Sequence, residues 1–303
     1  MGRHMSEQEG AAPAEAPELS VVIPVYNEEA ILERSVVELC EGLDGHGLHY
    51  EIILAENGSR DRTVEQGERL CAERSRVRIF SYPEPNYGGA LREGIFRARG
   101  RFVICEEIDL CDVDFHWRAL EVLRRGEADV VIGSKAMRGA DDTRPLFRRM
   151  ATRVYNRVLR VTLGFSGTDT HGLKALRRDA ILPVAARCVV EYDVFASELV
   201  IRAERSGLRV HELPVTIEEK RAPSIHLVRR VPRVLRNLAR LMVSIHLSSP
   251  VASDGPPHVS FAGSSCDPPD PLADPSADPL TDPLADPLTD PLTDPLTDPP
   301  AES

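Results

Sequence analysis

The chain lacks any apolar run of the ~18 residues that a transmembrane helix needs. It also lacks an early apolar segment of the kind found in signal peptides. Its six cysteines are scattered and none forms a C-x-x-C pair, which argues against a zinc site and a disulfide framework. These absences predict a reduced, cytoplasmic protein without a transmembrane helix.

Most of the chain has no net charge. The formal net charge is −11, but ten Asp and one Glu lie from Asp254 onward, with no Lys or Arg among them. The remaining residues hold 37 acidic and 37 basic side chains, so this part is neutral. Because nucleic-acid binding needs a basic face, we expect no nucleic-acid partner.

Composition divides the chain into three parts. Residues 1–18 open with MGRHM, which resembles a tag remnant, and continue as an Ala-, Glu- and Pro-rich leader that we expect to be disordered. Residues 19–250 are predicted to form one folded domain. Residues 251–303 contain nine Asp-Pro steps, and this spacing of proline excludes a helix. One Leu per repeat buries too little surface to offset ordering, so we expect a disordered acidic tail without a catalytic part.

Strand-like and helix-like segments alternate about five times at the start of the folded part, a pattern that predicts an α/β fold with a mostly parallel central sheet flanked by helices. No G-x-G-x-x-G motif follows the first strand, which argues against a NAD-type Rossmann enzyme. The predicted strands are the short apolar runs Leu19–Val25, Tyr50–Ala55, Val77–Phe80, Phe102–Cys105 and Ala128–Ile132. Ligands bind such sheets beyond the carboxyl ends of the strands, and these ends are polar here.

The second half of the folded part is predicted to contain two basic amphipathic helices. They cover Arg144–Leu163 and Ile225–Leu247, and arginines recur among the apolar residues of both. Between them, Thr168–Ala175 is predicted as a turn that enters a strand, Tyr192–Ser206 as a helix and Leu208–Ile217 as a strand.

The segment Glu106–Asp114 places five carboxylates within nine residues, directly after an apolar strand. Such crowded charges repel unless a cation or solvent relieves them. In an extended conformation, residues i and i+2 point the same way, so Glu107 and Asp109 are candidates to bind one divalent metal ion. A solvated acidic loop fits the composition equally well.

Three further polar segments flank predicted strands or helices. Asn57–Asp61 can form a tight turn whose Asp61 caps the next helix, and Glu56 before it can accept hydrogen bonds from a base or ribose. Glycines in Asn86–Gly89 allow close approach of a ligand to a helix start. Gly133–Lys135 is followed by cations that suit phosphate recognition, namely Arg138, Arg148, Arg149 and Arg153. The ordinary alternatives are a helix cap, a plain loop and a solvated basic helix face.

In their order along the chain, these segments resemble a family 2 inverting glycosyltransferase with the GT-A fold. They are most similar to the dolichyl- or polyprenyl-phosphate mannosyl/glucosyltransferase branch, and the resemblance extends from Leu19 to Leu247. The motifs that carry it are SVVIPVYNEE, ENGSRDRT, NYGGALREGI, EIDLCD, GSKAMRG, PLFRRMATRVYN, DTHGLKALRRD and ELPVTIEEKRAPS. The resemblance implies a hexosyltransferase that uses a GDP- or UDP-linked sugar together with Mg²⁺ or Mn²⁺.

The resemblance also implies a role for individual residues. Glu107 and Asp109 occupy the D-x-D metal position, and Asp109 is thereby catalytic. Asp169 is the candidate base for a hydroxyl acceptor, and His171 is a weaker one. The implied nucleotide-binding residues are Pro24, Tyr26, Glu28, Glu56, Asn57, Gly88, Arg92 and Ile108. The implied phosphate- and acceptor-binding residues are Lys135, Arg149, Thr152, Arg153, Lys220, Arg221 and Ser224.

Three residues depart from the family pattern. Glu107 stands where the first metal carboxylate is usually Asp, and its side chain is one methylene longer. Cys111 stands where the lipid-phosphate branch often has Gln. Lys135 replaces a common Arg and offers a point charge instead of a fork. The membrane anchor that many relatives have is also missing.

Three interpretations of the function remain open. With a polyprenyl-phosphate acceptor, helix 225–247 would lie on the inner face of the membrane, with its arginines at the headgroups and its aliphatic residues at the acyl boundary. With a soluble acceptor, such as a natural-product intermediate or a small metabolite, the same helix would pack on the core. The third interpretation is a nucleotide-binding scaffold that has lost catalysis.

Overall fold

The computed structural model describes residues 16–135, 137, 141–142, 146–170, 172–189, 194–217 and 227–247. Most of the predicted leader and the whole tail 251–303 lie outside these residues, so the expected disorder of both stays a prediction. Within the described residues, the elements follow in the order β1 (Leu19–Val25), α1 (Leu32–Gly45), β2 (Tyr50–Glu56), α2 (Thr63–Glu73), β3 (Val77–Ser81), α3 (Tyr87–Arg97), β4 (Phe102–Cys105), α4 (Val113–Arg124), β5 (Val130–Ser134), β6 (Asp141–Asp142), α5 (Leu146–Leu163), β7 (Lys174–Arg177), α6 (Arg178–Ala186), α7 (Phe195–Arg205), β8 (Val210–Pro214), β9 (Thr216–Ile217) and α8 (Leu227–Leu247).

A seven-stranded sheet forms the centre, with strand order β3-β2-β1-β4-β7-β5-β8. Strands β1 to β4 pair in parallel, as do β5 and β8. Strand β7 runs antiparallel to both β4 and β5 and separates the two parallel groups. The prediction of a mostly parallel sheet flanked by helices is confirmed, and the antiparallel insertion is an addition to it.

Both faces of the sheet are covered, which explains why its strands are continuous apolar runs. Val21 and Ile23 of β1 pack in a core with residues of α1, α2 and α4. Val22, which points to the opposite face, packs in a second core with residues of α3, α5, α6, α7 and α8. Alternate residues of one strand therefore belong to different cores, as the period of a β-strand requires.

The first helix begins later than the sequence predicts, at Leu32 instead of Glu28. Asn27 adopts a positive φ of 54°, and the carbonyl of Glu28 accepts the backbone N–H groups of Ile31 and Leu32. The intervening residues thus form a turn at the carboxyl end of β1, where loops of such sheets usually contribute to ligand sites.

The predicted strand Leu208–Ile217 is divided between two sheets. Strand β8 ends at Pro214, which has no N–H to continue a ladder, and Thr216–Ile217 pairs instead with Asp141–Asp142 in a separate two-stranded sheet. The other helix and strand predictions are confirmed with shifts of a few residues at their ends.

Candidate active site

The loops after β1 and β2 are tied together at the carboxyl edge of the sheet. The backbone N–H of Asn27 donates to Ser59 Oγ over 3.0 Å, and its side-chain oxygen accepts from the N–H of Arg60 at 2.8 Å. The N–H of Glu28 donates to Thr63 Oγ1 at 2.7 Å. These bonds hold the first two strand ends in one arrangement.

The predicted nucleotide-binding residues in these loops differ in accessibility. Glu56 and Asn57 are buried. Glu56 Oε1 accepts the N–H of Ser59 within the loop after β2, whereas Asn57 Nδ2 donates to the carbonyl of Val25 at the end of β1, at 2.9 Å. Pro24 is buried within β1, whereas Tyr26 is exposed and accessible to a ligand. The structure brings the four residues together, and their binding role stays a prediction.

Helix α3 begins at the same edge and has a capped N-terminus. The side chain of Asn86 accepts the N–H of Gly89 at 2.9 Å, and Gly88 is buried beside it. A side chain at Gly89 would meet the ring of Tyr82 within 2.6 Å, so this glycine permits close packing of the helix start. Arg92 donates to the carbonyls of Ala185 and Ala186 at the end of α6, so its guanidinium joins two helices.

The acidic segment after β4 is a turn, which corrects the expectation of an extended conformation. The carbonyl of Glu107 accepts the N–H of Leu110 at 2.9 Å, and Cys111 has a positive φ of 47°. Asp112 then caps α4 by accepting the N–H of Phe115 at 2.9 Å. Glu107 and Asp109 are therefore brought near each other by a turn that leads into a capped helix, and not by strand alternation.

A buried hydrogen-bonded pair of side chains lies next to this turn. His116 Nε2 lies 2.5 Å from Glu106 Oε2, and both side chains are fully buried. The other carboxylate oxygen of Glu106 accepts the N–H of Glu107 at 2.8 Å. Glu106 thus connects the first residue of the predicted metal motif to helix α4.

Three predicted site residues lie at this edge, with Glu107 and Asp109 after β4 and Lys135 after β5. Glu107 is exposed, and partial desolvation by neighbouring protein atoms raises the pKa of its carboxyl. The Lys135 ammonium opposes this increase, and the Asp109 carboxylate adds to it. The pair of carboxylates after β4 and the lysine after β5 therefore interact across the edge.

The residues present fit a divalent metal ion of the hard type. Glu107 and Asp109 offer carboxylate oxygens, the ligands that Mg²⁺ and Mn²⁺ prefer. The described residues contain no group of three or more His, Cys, Asp or Glu placed to hold a metal. Mg²⁺ is commonly bound by one or two carboxylates plus water and substrate phosphates, so two ligands are consistent with such a site.

Asp169 lies completely buried in a loop held by β8 and α5. Glu212 of β8 accepts the N–H of Asp169 at 3.2 Å and also binds both the N–H and the hydroxyl of Thr168. Asn156 of α5 donates to the carbonyl of Thr168 at 2.6 Å. Because Gly172 in the same loop has no side chain, the loop can lie against Gly133: a Cβ there would be 1.7 Å from the Gly133 oxygen.

Sequence reasoning missed Lys174, which links the two carboxylate regions. It is buried on β7, and its ammonium donates to the carbonyl of Gly172 at 2.7 Å. Burial lowers the pKa of Lys174, while the nearby Cys105, Asp169 and Glu107 oppose this decrease. Its signal in the sequence is a lysine within the otherwise apolar strand GLKAL.

The remaining predicted residues are only partly described. Arg149 and Thr152 are half-buried on α5, and Arg153 is exposed. Ile108 is buried in the acidic turn, and Glu28 is half-buried in the loop after β1. The predicted residues Arg138, His171, Lys220, Arg221 and Ser224 lie outside the described residues.

The described part of α8 packs on the body of the protein. Its aliphatic residues Leu238, Leu241 and Ile245 are buried in the second core, whereas Arg236 and Arg240 are exposed. Of the two placements expected for this helix, Leu238, Leu241 and Ile245 take the one on the core, whereas Val243 is exposed. Among the described helices, none combines the length and apolarity needed to span a bilayer.

Comparison with known proteins identifies several relatives. The model of Glycosyl transferase family 2 matches residues 20–183. Glycosyltransferase AglD of Haloferax volcanii is 34% identical over 236 residues, which cover 76% of this chain and 38% of that protein. Low-salt glycan biosynthesis hexosyltransferase Agl6 of the same organism is 30% identical, over 66% of this chain and 48% of that protein. The chain thus spans less than half the length of these two relatives.

A dolichyl-phosphate beta-glucosyltransferase of Saccharomyces cerevisiae is 26% identical, over 66% of this chain and 67% of that protein. Among solved structures, glucosyl-3-phosphoglycerate synthase from Mycobacterium tuberculosis superposes with a TM-score of 0.58 in its complex with phosphoglyceric acid, at 20% identity over 77% of this chain and 82% of that one. Its complex with Mn²⁺, UDP and glucosyl-3-phosphoglycerate gives a TM-score of 0.54 at 20% identity, over 75% and 80% of the two chains. These likenesses support the GT-A fold.

Proposed function

Because this chain belongs to glycosyl transferase family 2, we propose that it is a metal-dependent inverting hexosyltransferase. It takes a sugar from a GDP- or UDP-linked donor and transfers it to a polyprenyl-phosphate-like acceptor. The observation that carries this proposal is the placement of Glu107 and Asp109 after β4 and of Lys135 after β5, because these two strands end at the same edge of the sheet. Two carboxylates beside an ammonium group can bind a metal ion and a diphosphate at one place.

The donor binds with its diphosphate at the acidic turn. Glu107 and Asp109 would hold Mg²⁺ or Mn²⁺, which supplies Lewis acidity to the leaving diphosphate. Lys135 donates to a phosphate oxygen, and its fixed charge stabilises the negative charge that develops as the bond to the sugar breaks. Arg149 and Arg221 add further contacts to the phosphates, together with Lys220 and Ser224.

The nucleoside occupies the opposite half of the same edge. Tyr26 is exposed at the end of β1 and offers a ring face to the base, while Glu28 and the loop of Glu56 and Asn57 border it. The hydrogen bonds that tie these loops fix their shape before the donor arrives, which lowers the ordering cost of binding. Pro24, Gly88, Arg92 and Ile108 complete the proposed nucleotide-binding set.

The acceptor attacks the anomeric carbon from the face opposite the leaving diphosphate, which inverts the configuration. An acceptor phosphate is ionised at neutral pH and needs no base, and Arg149, Thr152 and Arg153 would bind it. A hydroxyl acceptor has to lose a proton, and Asp169 would accept it. Glu212 holds the backbone of Asp169 in place for that task.

The relatives support both acceptor classes. The dolichyl-phosphate beta-glucosyltransferase of yeast favours a lipid phosphate. The alternative is a soluble acceptor, either a small phosphorylated metabolite or a natural-product hydroxyl. Two observations favour this alternative: the phosphoglyceric acid bound by the mycobacterial synthase, and the packing of α8 on the core. A lipid-phosphate acceptor further implies a cytoplasmic protein at the inner face of the membrane, with the exposed arginines of helix 225–247 in peripheral contact with it.

The experiment that tests this proposal measures thermal stability with UDP or GDP, each with and without Mn²⁺ or Mg²⁺. A ligand that binds only the folded state raises the apparent melting temperature by mass action. We expect a metal-dependent increase with one nucleotide, which also identifies the donor. Absence of any increase with all four combinations would contradict the proposal and favour a scaffold that has lost nucleotide binding.

Turnover then separates the two acceptor classes. With UDP-glucose or GDP-mannose as donor, product formation on a short-chain polyprenyl phosphate supports the lipid-phosphate acceptor. Product formation on 3-phosphoglycerate alone supports the soluble alternative.

A further inference from the structure

Large hydrophobic side chains are exposed in few places on the described surface, and most of these places are on two helices. Four of the six such residues lie on α5 and α8, namely Met150, Val154, Val161 and Val243. The exposed fractions of Met150, Val154 and Val161 are 64%, 59% and 76%. An exposed apolar group of this kind commonly marks an interaction surface.

The exposed residues of α5 form one stripe along the helix. Met150, Val154, Arg157 and Val161 follow one another at intervals of four, three and four residues, which places them on the same side. The opposite side, with Asn156, Leu159 and Leu163, is buried against the body. We call the exposed set Met150, Arg153, Val154, Arg157, Arg160 and Val161 the α5 face.

Charge on α5 and α8 is of one sign. Each of the two helices contains five arginines and no Asp or Glu, whereas every other helix of the described chain contains an acidic residue. The two helices pack against each other. Among their described side chains, the exposed arginines are Arg153, Arg157, Arg160, Arg236 and Arg240. Since acidic and basic residues balance before the tail, this basic region is a local concentration and not a property of the whole body.

The combination of apolar residues with arginines fits one partner. A bilayer rich in anionic lipids offers phosphate groups to the arginines and an acyl boundary to the apolar side chains just below them. A nucleic acid would use the arginines but leave Met150, Val154 and Val161 without a purpose. Leu238, Leu241 and Ile245 of α8 are buried in the core, so among the described residues α5 supplies most of the exposed apolar side chains on the two helices.

We propose that the α5 face binds the surface of an anionic membrane, with Met150, Val154 and Val161 entering the interfacial layer and the flanking arginines at lipid phosphates. The exposed arginines of α8, Arg236 and Arg240, add charge beside it. This inference rests on the proposed function, because Arg149, Thr152 and Arg153 on the same helix are the predicted binding residues for an acceptor phosphate. A lipid-borne phosphate would then reach the helix that is expected to hold it.

The test is co-sedimentation of the full chain with vesicles, without donor or acceptor. We expect binding to vesicles of phosphatidylglycerol and phosphatidylcholine, little binding to phosphatidylcholine alone, and weaker binding at high salt. The double variant Val154→Asp/Val161→Asp should reduce the bound fraction at least about tenfold, since two apolar side chains no longer leave water. Equal binding to both vesicle types, or no binding to either, would overturn the proposal.

Matched controls separate this surface from a general effect. Val189→Asp changes a valine that is 66% exposed and lies outside both helices, and it should leave vesicle binding unchanged. Arg157→Glu should weaken binding, whereas Arg34→Glu, which changes an exposed arginine on α1, should not. Equal losses in the control and test variants would reject the α5 face. A concentration-dependent dimer that Val154→Asp dissociates, without vesicle binding, would identify a second copy of the chain as the occupant.

Nucleotide binding, measured separately by thermal stability with UDP or GDP and metal, keeps the two proposals distinguishable. Vesicle binding without any effect of nucleotide would support membrane binding by the α5 face and contradict the proposed transferase function. An effect of nucleotide without vesicle binding would contradict membrane binding by the α5 face and favour a soluble acceptor.

Discussion

At the amino edge of the central sheet, carboxylates are paired with arginines, whereas at the carboxyl edge they crowd one another. On the amino edge, Glu51 accepts from Ser20 Oγ at 2.6 Å, from Arg78 at 2.8 Å and from the backbone N–H of Arg99 at 2.8 Å. Asp129 is bound in the same way by Arg209 and Arg177. These groups have their counter-charges within the fold.

On the carboxyl edge, Asp109 and Glu106 both add to the raised pKa of Glu107. The sheet is the same, and only the loops differ: the loop after β4 gathers like charges, which Lys135 and Lys174 offset in part. We therefore expect the buried pairs of the amino edge to contribute to stability and the crowded carboxylates of the carboxyl edge to contribute to the proposed metal binding. Mutations at the two edges should therefore separate activity from stability.

The largest effect is expected for Asp109→Ala. Loss of a metal carboxylate removes several kcal/mol of charge stabilisation in the transition state, so turnover should fall by about 10²–10³-fold or more. The melting temperature should stay unchanged, because the turn is held by backbone bonds. Asp114→Ala, an exposed neighbour at the start of α4, is the control for charge alone. Near-normal turnover of Asp109→Ala with Mn²⁺ present would remove the metal assignment.

Glu51→Ala should produce the reverse result. It removes the carboxylate from Arg78, whose side chain is only 12% exposed, so the free energy of unfolding should fall by about 3 kcal/mol. Turnover of the folded fraction should remain normal. Urea unfolding measures the first quantity. Glu38→Ala is the matched control, and because its pair with Arg34 is exposed, this change should leave the free energy of unfolding nearly unchanged. Normal stability with impaired turnover in Glu51→Ala would contradict the assignment of stability to the amino edge and activity to the carboxyl edge.

Glu106→Gln tests the buried pair of Glu106 and His116. This pair lies at the carboxyl edge, but its two side chains bind each other, as the pairs of the amino edge do. The amide has one acceptor oxygen for two donors, His116 and the N–H of Glu107. Because groups that orient metal ligands typically change affinity by about 10–100-fold, Mn²⁺ affinity in the presence of UDP should fall by that factor. Electron paramagnetic resonance of free Mn²⁺ measures this directly. Glu121→Gln on the exposed side of α4 is the control, and unchanged affinity in Glu106→Gln would mean that the turn does not depend on the pair.

The smallest effect is expected for Asp129→Asn, and its effect on the free energy of unfolding should depend on pH. Hydrogen bonds from Arg209 lower the pKa of Asp129 below its ordinary value of about 3.9. Its stabilisation is therefore present above pH ~4 and is lost as the pH falls through the folded-state pKa. At pH 7, Asp129→Asn should lower the free energy of unfolding by about 1 kcal/mol, and the difference from the wild type should shrink in acid. A difference that is constant from pH 7 to pH 3 would contradict this ionic origin.

The part of the fold that contains β1 to β4 was largely predictable, because its signals in the sequence are local. Parallel strands buried on both faces are continuous apolar runs, so β1 to β4 were located to within about a residue. The polar strand ends then indicated where the site lies. Helix α6 gave no such signal, because Pro183 interrupts its helical pattern, although the helix forms around it.

The sequence by itself determined most of the elements, the edge that carries the candidate site and the crowding of carboxylates after β4, since periodicity and turn chemistry act over a few residues. Only the tertiary structure decided which groups meet. It inserted β7 between β4 and β5, buried Lys174 within electrostatic range of Asp169 and Glu107, and paired Glu106 with His116. It also buried Leu159 and Leu163 of α5 while leaving Met150, Val154 and Val161 of the same helix exposed. Amphipathic spacing specifies that a helix has two sides, but long-range packing determines which side is buried.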